Sequence, residues 1–248
     1  MADKVFETIN EKSSSELLLT CEHAEALVPS EYGTLGLEAE KFDTHIARDK
    51  GAREVTRLLA QKLSCRAVLG KYSRLLIDLN RRPNEQELIV EKSDGVPVPF
   101  NQNLRAEEKN RRLQDFYFPY YAEIERQEED ILKNGKKPLI FSVHSFTPQL
   151  QGGDYRPWNA GILWHRENPF AQFVHHELQS RADKNIGVNV PYDLRQYNTG
   201  AAVICGEEKG FEYALIEIRD DEFDNLEKGA EWWADKLSVI ISEYLKRY

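Results

Sequence analysis

The sequence predicts an α/β fold: a single three-layer α/β/α domain around a mixed, mostly parallel sheet. Three observations carry this prediction. Short apolar runs alternate with longer amphipathic stretches, the pattern of strands joined by crossover helices. Polar clusters with chemical potential follow several of the apolar runs, and the carboxyl ends of parallel strands gather functional groups in such sheets. The 248 residues hold no internal repeat, low-complexity tract or long linker, and that length suits one domain with a sizeable core.

Residues 1–15, ending in Ser13-Ser14-Ser15, read as a flexible N-terminal tail, and residues 16–248 as the domain. Glu16–Thr20 (ELLLT) fits a short buried strand that leads into Cys21-Glu22-His23. Asp43–Leu63 reads as a helix, because Val55, Leu58, Leu59 and Leu63 share one face. Ala67–Gly70 and Arg74–Leu79 read as two further strands. The polar, proline-containing stretch Asn84–Asn103 reads as an excursion or lid. Residues 106–132 form a long helical pattern with an aromatic stripe of Phe116, Tyr117, Tyr120 and Tyr121, which Pro119 should kink or split. Leu139–Val143 is a buried strand ending at His144-Ser145, and Ala160–Trp164 is another. Asn168–Asp183 reads as a helix with Pro169 in its first turn. Tyr213–Ile218 is the last strand, and Asp224–Tyr248 is an amphipathic helix with Trp233, Leu237, Ile240, Ile241 and Tyr244 inward.

Charge narrows the function. Lys plus Arg is 33 and Asp plus Glu is 42, a net charge of −9, which argues against nucleic acid and anionic membranes as partners. Three cysteines without a CxxC pair suggest neither a disulfide framework nor a zinc knuckle. The polar stretch Met1–Ser15 is no signal peptide and no apolar run could span a bilayer, so a cytoplasmic location is expected. The oligomeric state is left open.

Four clusters carry the chemistry: Glu22-His23, Asp78-Asn80-Arg81, His144-Ser145 and Glu217-Arg219-Asp220. Together they offer imidazoles, carboxylates and a fixed cation, the parts of a hydrolytic metal site. Zinc takes three protein ligands of His and carboxylate type and leaves a position for water. A further carboxylate must accept the water's proton. An arginine fork can hold a substrate carboxylate through two parallel bonds. Glu217 stands out because it sits inside an apolar strand, where a carboxylate must be paired or put to use. His45 could cap a helix or line the cleft, whereas His165, His175 and His176 read as solvated. Cys21 opens a second mechanism, a thiolate nucleophile near His23, set against the commoner role of a small buried residue.

At these residues the sequence resembles the N-formylglutamate amidohydrolase family, in its "predicted" branch. The matching segments, in the family's order, are CEHAEALVP (21–29), HIARDKGA (45–52), YSRLLIDLNRRPN (72–84), SVHSFTP (142–148) and IEIRDD (216–221). The resemblance implies a phosphorylase/hydrolase-like fold akin to zinc-dependent exopeptidases and, more distantly, muramoyl-alanine amidases. It implies one zinc ion per chain held by His23, Asp49 and His144, with Glu22 and Glu25 as rivals to Asp49. Glu217 is then the general base and Arg74 the cation beside the oxyanion. Asn80 and Arg81 clamp a substrate carboxylate, with Ser145 and Arg219 as further substrate contacts. The implied reaction removes an acyl group, foremost formyl, from a small carboxylate-bearing amide such as N-formylglutamate. An amidase on another N-acyl amino acid, peptide or cell-wall fragment is the alternative, as is a non-catalytic carboxylate binder. Two histidines associated with the family are replaced: Tyr121 stands at one position and Glu207-Glu208 occupies the stretch of the other.

Overall fold

The computed structural model describes residues 4–196 and 200–247. The apolar runs become strands β1 (Phe6–Ile9), β2 (Leu17–Cys21) and β3 (Arg66–Gly70), with helix α1 (Ala52–Lys62) between the last two. A small hairpin, β4 (Lys92–Ser93) and β5 (Val96–Pro97), lies in the polar excursion, followed by helices α2 (Ala106–Arg112) and α3 (Phe118–Lys133). The remainder alternates as β6 (Leu139–Phe146), β7 (Ala160–Leu163), α4 (Pro169–Arg181), β8 (Ile186–Val188), β9 (Glu212–Arg219) and α5 (Leu226–Leu245).

The main sheet has seven strands in the order β1-β3-β2-β6-β9-β7-β8. Its pairings β3–β2, β2–β6, β6–β9 and β7–β8 are parallel, whereas β1–β3 and β9–β7 are antiparallel. Every residue of β2 and β6 is buried, as expected for central strands covered on both faces. One core lies between the sheet and α1, α4 and α5, where Phe141, Phe170 and Trp233 pack. The second lies between the opposite face and α3 with the excursion, where Leu18, Leu76 and Tyr120 pack. This is the expected three-layer α/β/α domain.

Local chemistry explains the helix boundaries. Asn168 accepts from the Ala171 amide at 3.3 Å and Pro169 occupies the first turn of α4. Asn225 caps α5 through the Lys228 amide at 3.1 Å, and the five residues expected to face inward are buried. Before α1 the chain turns at Gly51 with φ +81°, and a Cβ there would meet the Phe223 ring at 2.3 Å.

Three local expectations are corrected. Residues 1–15 are not a free tail throughout: Phe6–Ile9 adds an antiparallel edge strand to β3. Arg74–Leu79 is buried but is no strand. Its amides are taken by Ala47, Ser73 and Leu88 carbonyls, so the chain turns here instead of joining the sheet. The helix expected over Asp43–Leu63 begins only at Ala52. The aromatic stretch is split as expected near Pro119: it passes from α2 to α3 through a π-helical turn at Leu113–Tyr117, and Pro119 sits in the first turn of α3. Among the described residues, no helix is long and apolar enough to cross a membrane.

Candidate metal centre and active site

Strands β2, β6 and β9 are parallel neighbours at the sheet's centre, so their carboxyl ends lie side by side. His23 follows β2, His144 lies near the end of β6, and Glu217 pairs in register with His144 from β9. Asp49 arrives on the turn before α1, held by its amide to the His23 carbonyl at 3.0 Å. The same lattice places Arg74, whose amide reaches the Ala47 carbonyl at 3.3 Å, while Ser73 Oγ holds that carbonyl at 3.0 Å. Gly70 permits the close fit, since a Cβ there would strike the Glu22 carbonyl at 2.3 Å.

Ligand atoms of His23, Asp49 and His144 all lie within 4.8 Å of one another, and all three residues are buried. Asp49 Oδ2 sits 2.8 Å from His144 Nδ1, 3.4 Å from His23 Nδ1 and 3.3 Å from the Ser145 amide. Its other oxygen accepts from Arg74 Nη2. The far nitrogens are held by carboxylates: His23 Nε2 meets Asp78 Oδ1 at 2.7 Å, and His144 Nε2 meets Glu22 Oε2 at 2.6 Å. Both imidazoles therefore direct Nδ1 at the centre, the arrangement in which an outer carboxylate orients a metal ligand. His23 Nδ1 has no hydrogen-bond partner although it is buried. Two imidazole nitrogens and one carboxylate oxygen suit zinc, and such a set leaves a position for water. The residues present thus fit the ion.

Burial, with the charge of Arg74, pushes His23 down to about 4, so its ring is neutral at pH 7 and its nitrogen is available as a ligand. Burial pushes Glu22 up, but contact with His144 and its charge outweigh this and hold the carboxyl at about 2. Asp78 is likewise held well below the usual carboxylate range, His23 outweighing burial. Glu217 behaves in the opposite way. Burial pushes its carboxyl up against the attraction of His144 and Arg74, and its Oε2 has no hydrogen-bond partner.

His23, Asp49, Arg74, Asp78, His144 and Glu217 line one cavity of about 280 Å³, together with Asn80, Arg81, Glu87, Ser145, Leu163, Tyr192, Leu194 and Leu215. The structure thus brings together eight of the nine expected residues: His23, Asp49, Arg74, Asn80, Arg81, His144, Ser145 and Glu217. Arg219 does not line the cavity. Its guanidinium is held by Asp221 at 2.7 Å and by the Arg156 carbonyl at 3.2 Å, which turns it out of the cleft. The rival ligands are otherwise engaged: Glu22 by His144, Ser142 and Tyr120, and Glu25 by Arg53 at 3.1 Å. Cys21 is buried in the core on the α1 side, and burial raises its thiol far above the neutral range, which excludes the thiolate mechanism.

The family model described as N-formylglutamate amidohydrolase matches residues 15–223. The chain belongs to this family. A solved gene product of Agrobacterium tumefaciens is similar over 98% of this chain and 96% of that one, with 29% identity and a TM-score of 0.88. An N-formylglutamate amidohydrolase structure from Ralstonia eutropha superposes with a TM-score of 0.73 at 18% identity, covering 99% of each chain. A bacteriophage poly-gamma-glutamate hydrolase shares the fold, with a TM-score of 0.52 at 11% identity over 100% of this chain and 93% of that one. No curated protein matches the chain.

As a member of this family the chain is a hydrolase with a buried His/Asp/His site able to hold a metal ion. Sequence reasoning missed how its histidines are held. Asp78 belonged to a polar cluster without a role, and Glu22 was only a rival ligand. The two family positions lacking histidine are tied up elsewhere. Tyr121 donates to the Leu79 carbonyl at 2.7 Å, and Glu207 meets His165 Nδ1 at 2.7 Å. His165 is therefore half-buried and paired, not simply solvated. His45 Nε2 meets Asp94 of the β4–β5 turn at 2.9 Å and does not line the cavity.

Proposed function

We propose that this protein is a zinc-dependent amidohydrolase that removes an acyl group, foremost formyl, from a small N-acyl amino acid. One observation carries the reading: a buried carboxylate oxygen without a partner, Glu217 Oε2, lines the same cavity as the His23/Asp49/His144 nest. A buried carboxylate left unsatisfied is costly, and a waiting proton acceptor is the physical use for it.

His23, Asp49 and His144 would hold the ion. When bound, zinc supplies a Lewis acid that acidifies water and polarises the acyl carbonyl. Glu217 takes the proton of the attacking water and returns it to the leaving nitrogen. Its raised carboxyl pKa makes it a stronger base than an exposed glutamate and keeps it able to give the proton back. Arg74 is fixed against Asp49 and places a positive charge next to the reacting carbonyl. Arg81 lines the cavity beside Asn80 with its nearest carboxylate, that of Glu85, 3.9 Å away. It is thus able to receive a substrate carboxylate bidentately. Ser145 completes the polar wall. The substrate is a small molecule; nucleic acid has no counterpart in a cleft with this charge pattern and a chain this acidic.

The test is hydrolysis of a panel of N-formyl and N-acetyl amino acids by zinc-loaded protein. Amine release is expected, abolished by chelation and restored by zinc. Absence of turnover on the whole panel with stoichiometric zinc bound refutes the reading.

A further inference from the structure

We infer that this cleft selects a monoanionic substrate with one carboxylate and one apolar group, and rejects a dicarboxylate such as N-formylglutamate. The inference rests on the amidohydrolase reading and concerns its substrate class.

The cavity offers few cations. Among the described lining residues, Arg74 is committed to Asp49, which leaves Arg81, whose Nη1 donates to the Asn80 carbonyl at 3.1 Å, for a substrate carboxylate. Nearby arginines are engaged outside the lining. Arg195 is forked onto Asp193 with both bonds at 2.8 Å, and Arg156 stacks on Tyr192 with its guanidinium 5.2 Å from the ring centroid. Arg82 pairs with Glu208 at 2.6 Å.

Two further features count against a second carboxylate. Leu163 and Leu215 pair in register across β7 and β9, and they join Leu194 in the cavity lining. All three are at most 5% exposed and belong to one apolar cluster. Leu215 and Glu217 lie two apart on β9, so this apolar patch adjoins the catalytic carboxylate on the same face of the sheet. A charged side chain placed there would lose its water without gaining a partner. Besides Asp49, Asp78 and Glu217, the lining carries the exposed carboxylate of Glu87, on the turn Gln86–Leu88 of the excursion, and no ion pair among the described residues engages it. A second substrate carboxylate would meet a like charge, which is how a site discriminates against the wrong ligand.

The test compares kcat/KM of zinc-loaded protein for N-formyl-leucine and N-formylglutamate. The leucine compound is expected to be preferred by at least about tenfold, the scale on which apolar pockets discriminate. In Glu87→Gln the ratio should fall by about fivefold or more through a gain on the glutamate compound, as expected on removing a like charge. Equal rates, or preference for N-formylglutamate, overturn the inference and leave the amidohydrolase reading intact. If neither compound is hydrolysed, that reading falls, and calorimetric binding of the same pair still decides the inference. Tighter binding of N-formyl-leucine sustains it, and tighter binding of N-formylglutamate overturns it.

Discussion

Replacing Glu22 separates its effect on the metal centre from its effect on the fold. The residue is fully buried and serves three neighbours. Oε2 accepts from Ser142 Oγ at 2.9 Å and lies 2.6 Å from His144 Nε2, while Oε1 accepts from the Tyr120 hydroxyl at 3.0 Å. Glu22→Ala leaves the Ser142 hydroxyl and His144 Nε2 buried without their carboxylate, whereas the Tyr120 hydroxyl keeps the Val68 carbonyl at 3.4 Å. At about 1–3 kcal/mol for each of the two, partly relieved by water entering the gap, the metal-free fold should lose roughly 2–5 kcal/mol. Glu22→Gln keeps the shape and most of the hydrogen bonds, so the fold should lose only about 1–2 kcal/mol. It removes the charge that fixes the proton on His144 Nε2 and leaves Nδ1 free as a ligand. Loss of such an outer carboxylate weakens metal binding by about 10–100-fold, which corresponds to about 1.4–2.8 kcal/mol. Chelator competition gives the zinc affinity, and urea unfolding of metal-free protein gives the stability. Wild-type zinc affinity in Glu22→Gln would refute the orienting role and reduce Glu22 to a buried hydrogen-bond hub.

The remaining predictions concern the cleft. Glu217→Gln should keep its zinc and lose activity by about 100-fold or more, the usual scale for a general base; loss of the metal instead would make Glu217 a ligand. Because burial raises the Glu217 carboxyl and the ionised form is the base, the acid limb of kcat/KM should lie above the ordinary glutamate range. A pH profile whose acid limb falls at or below that range contradicts the assignment. Arg81→Lys should lower kcat/KM by about tenfold or more on acyl amino acids and far less on the matching neutral amides, since an ammonium cannot form the fork. Equal losses on both would remove Arg81 from substrate binding. For metal-free protein, His23 titrates near 6.5 unfolded and about 4 folded, so the unfolded chain binds more protons between those values. Stability should accordingly fall as pH drops from 6.5 towards 4, and His23→Gln should flatten that slope in urea titrations.

The sequence made the central strands and the catalytic groups legible for one reason. Buried parallel strands are unbroken apolar runs, and the polar residues that interrupt or end them have to be used. Leu17–Cys21, Leu139–Phe146 and Glu212–Arg219 all announce themselves in this way. The pattern fails where burial and strand part company. Leu75–Leu79 is apolar because it is buried, yet its amides are satisfied by turns and by the excursion, which hydropathy cannot distinguish from a ladder. Phe6–Ile9 fails in the opposite sense, since a half-buried edge strand of four residues carries too little contrast to register. A thiolate at Cys21 near His23 is not realised, because the strand ends at Cys21 and the chain turns through Glu22. Asp78 and Glu22 were visible as carboxylates beside the site. Their partners, fifty-five and about a hundred and twenty residues away, exist only once the sheet is assembled. Tyr192, Leu194 and Glu87 gave no signal, because loop residues reach the cavity by a path that no periodicity describes.

On the proposed reading, His23, Asp49 and His144 hold the metal, and Glu217 serves that site without building it. The most direct measurement is the zinc retained per chain by wild type, His144→Ala and Glu217→Gln after dialysis against the same limiting zinc buffer. A three-ligand site predicts about one ion per chain in wild type and in Glu217→Gln, and essentially none in His144→Ala. Zinc held at the wild-type level by correctly folded His144→Ala would contradict the account.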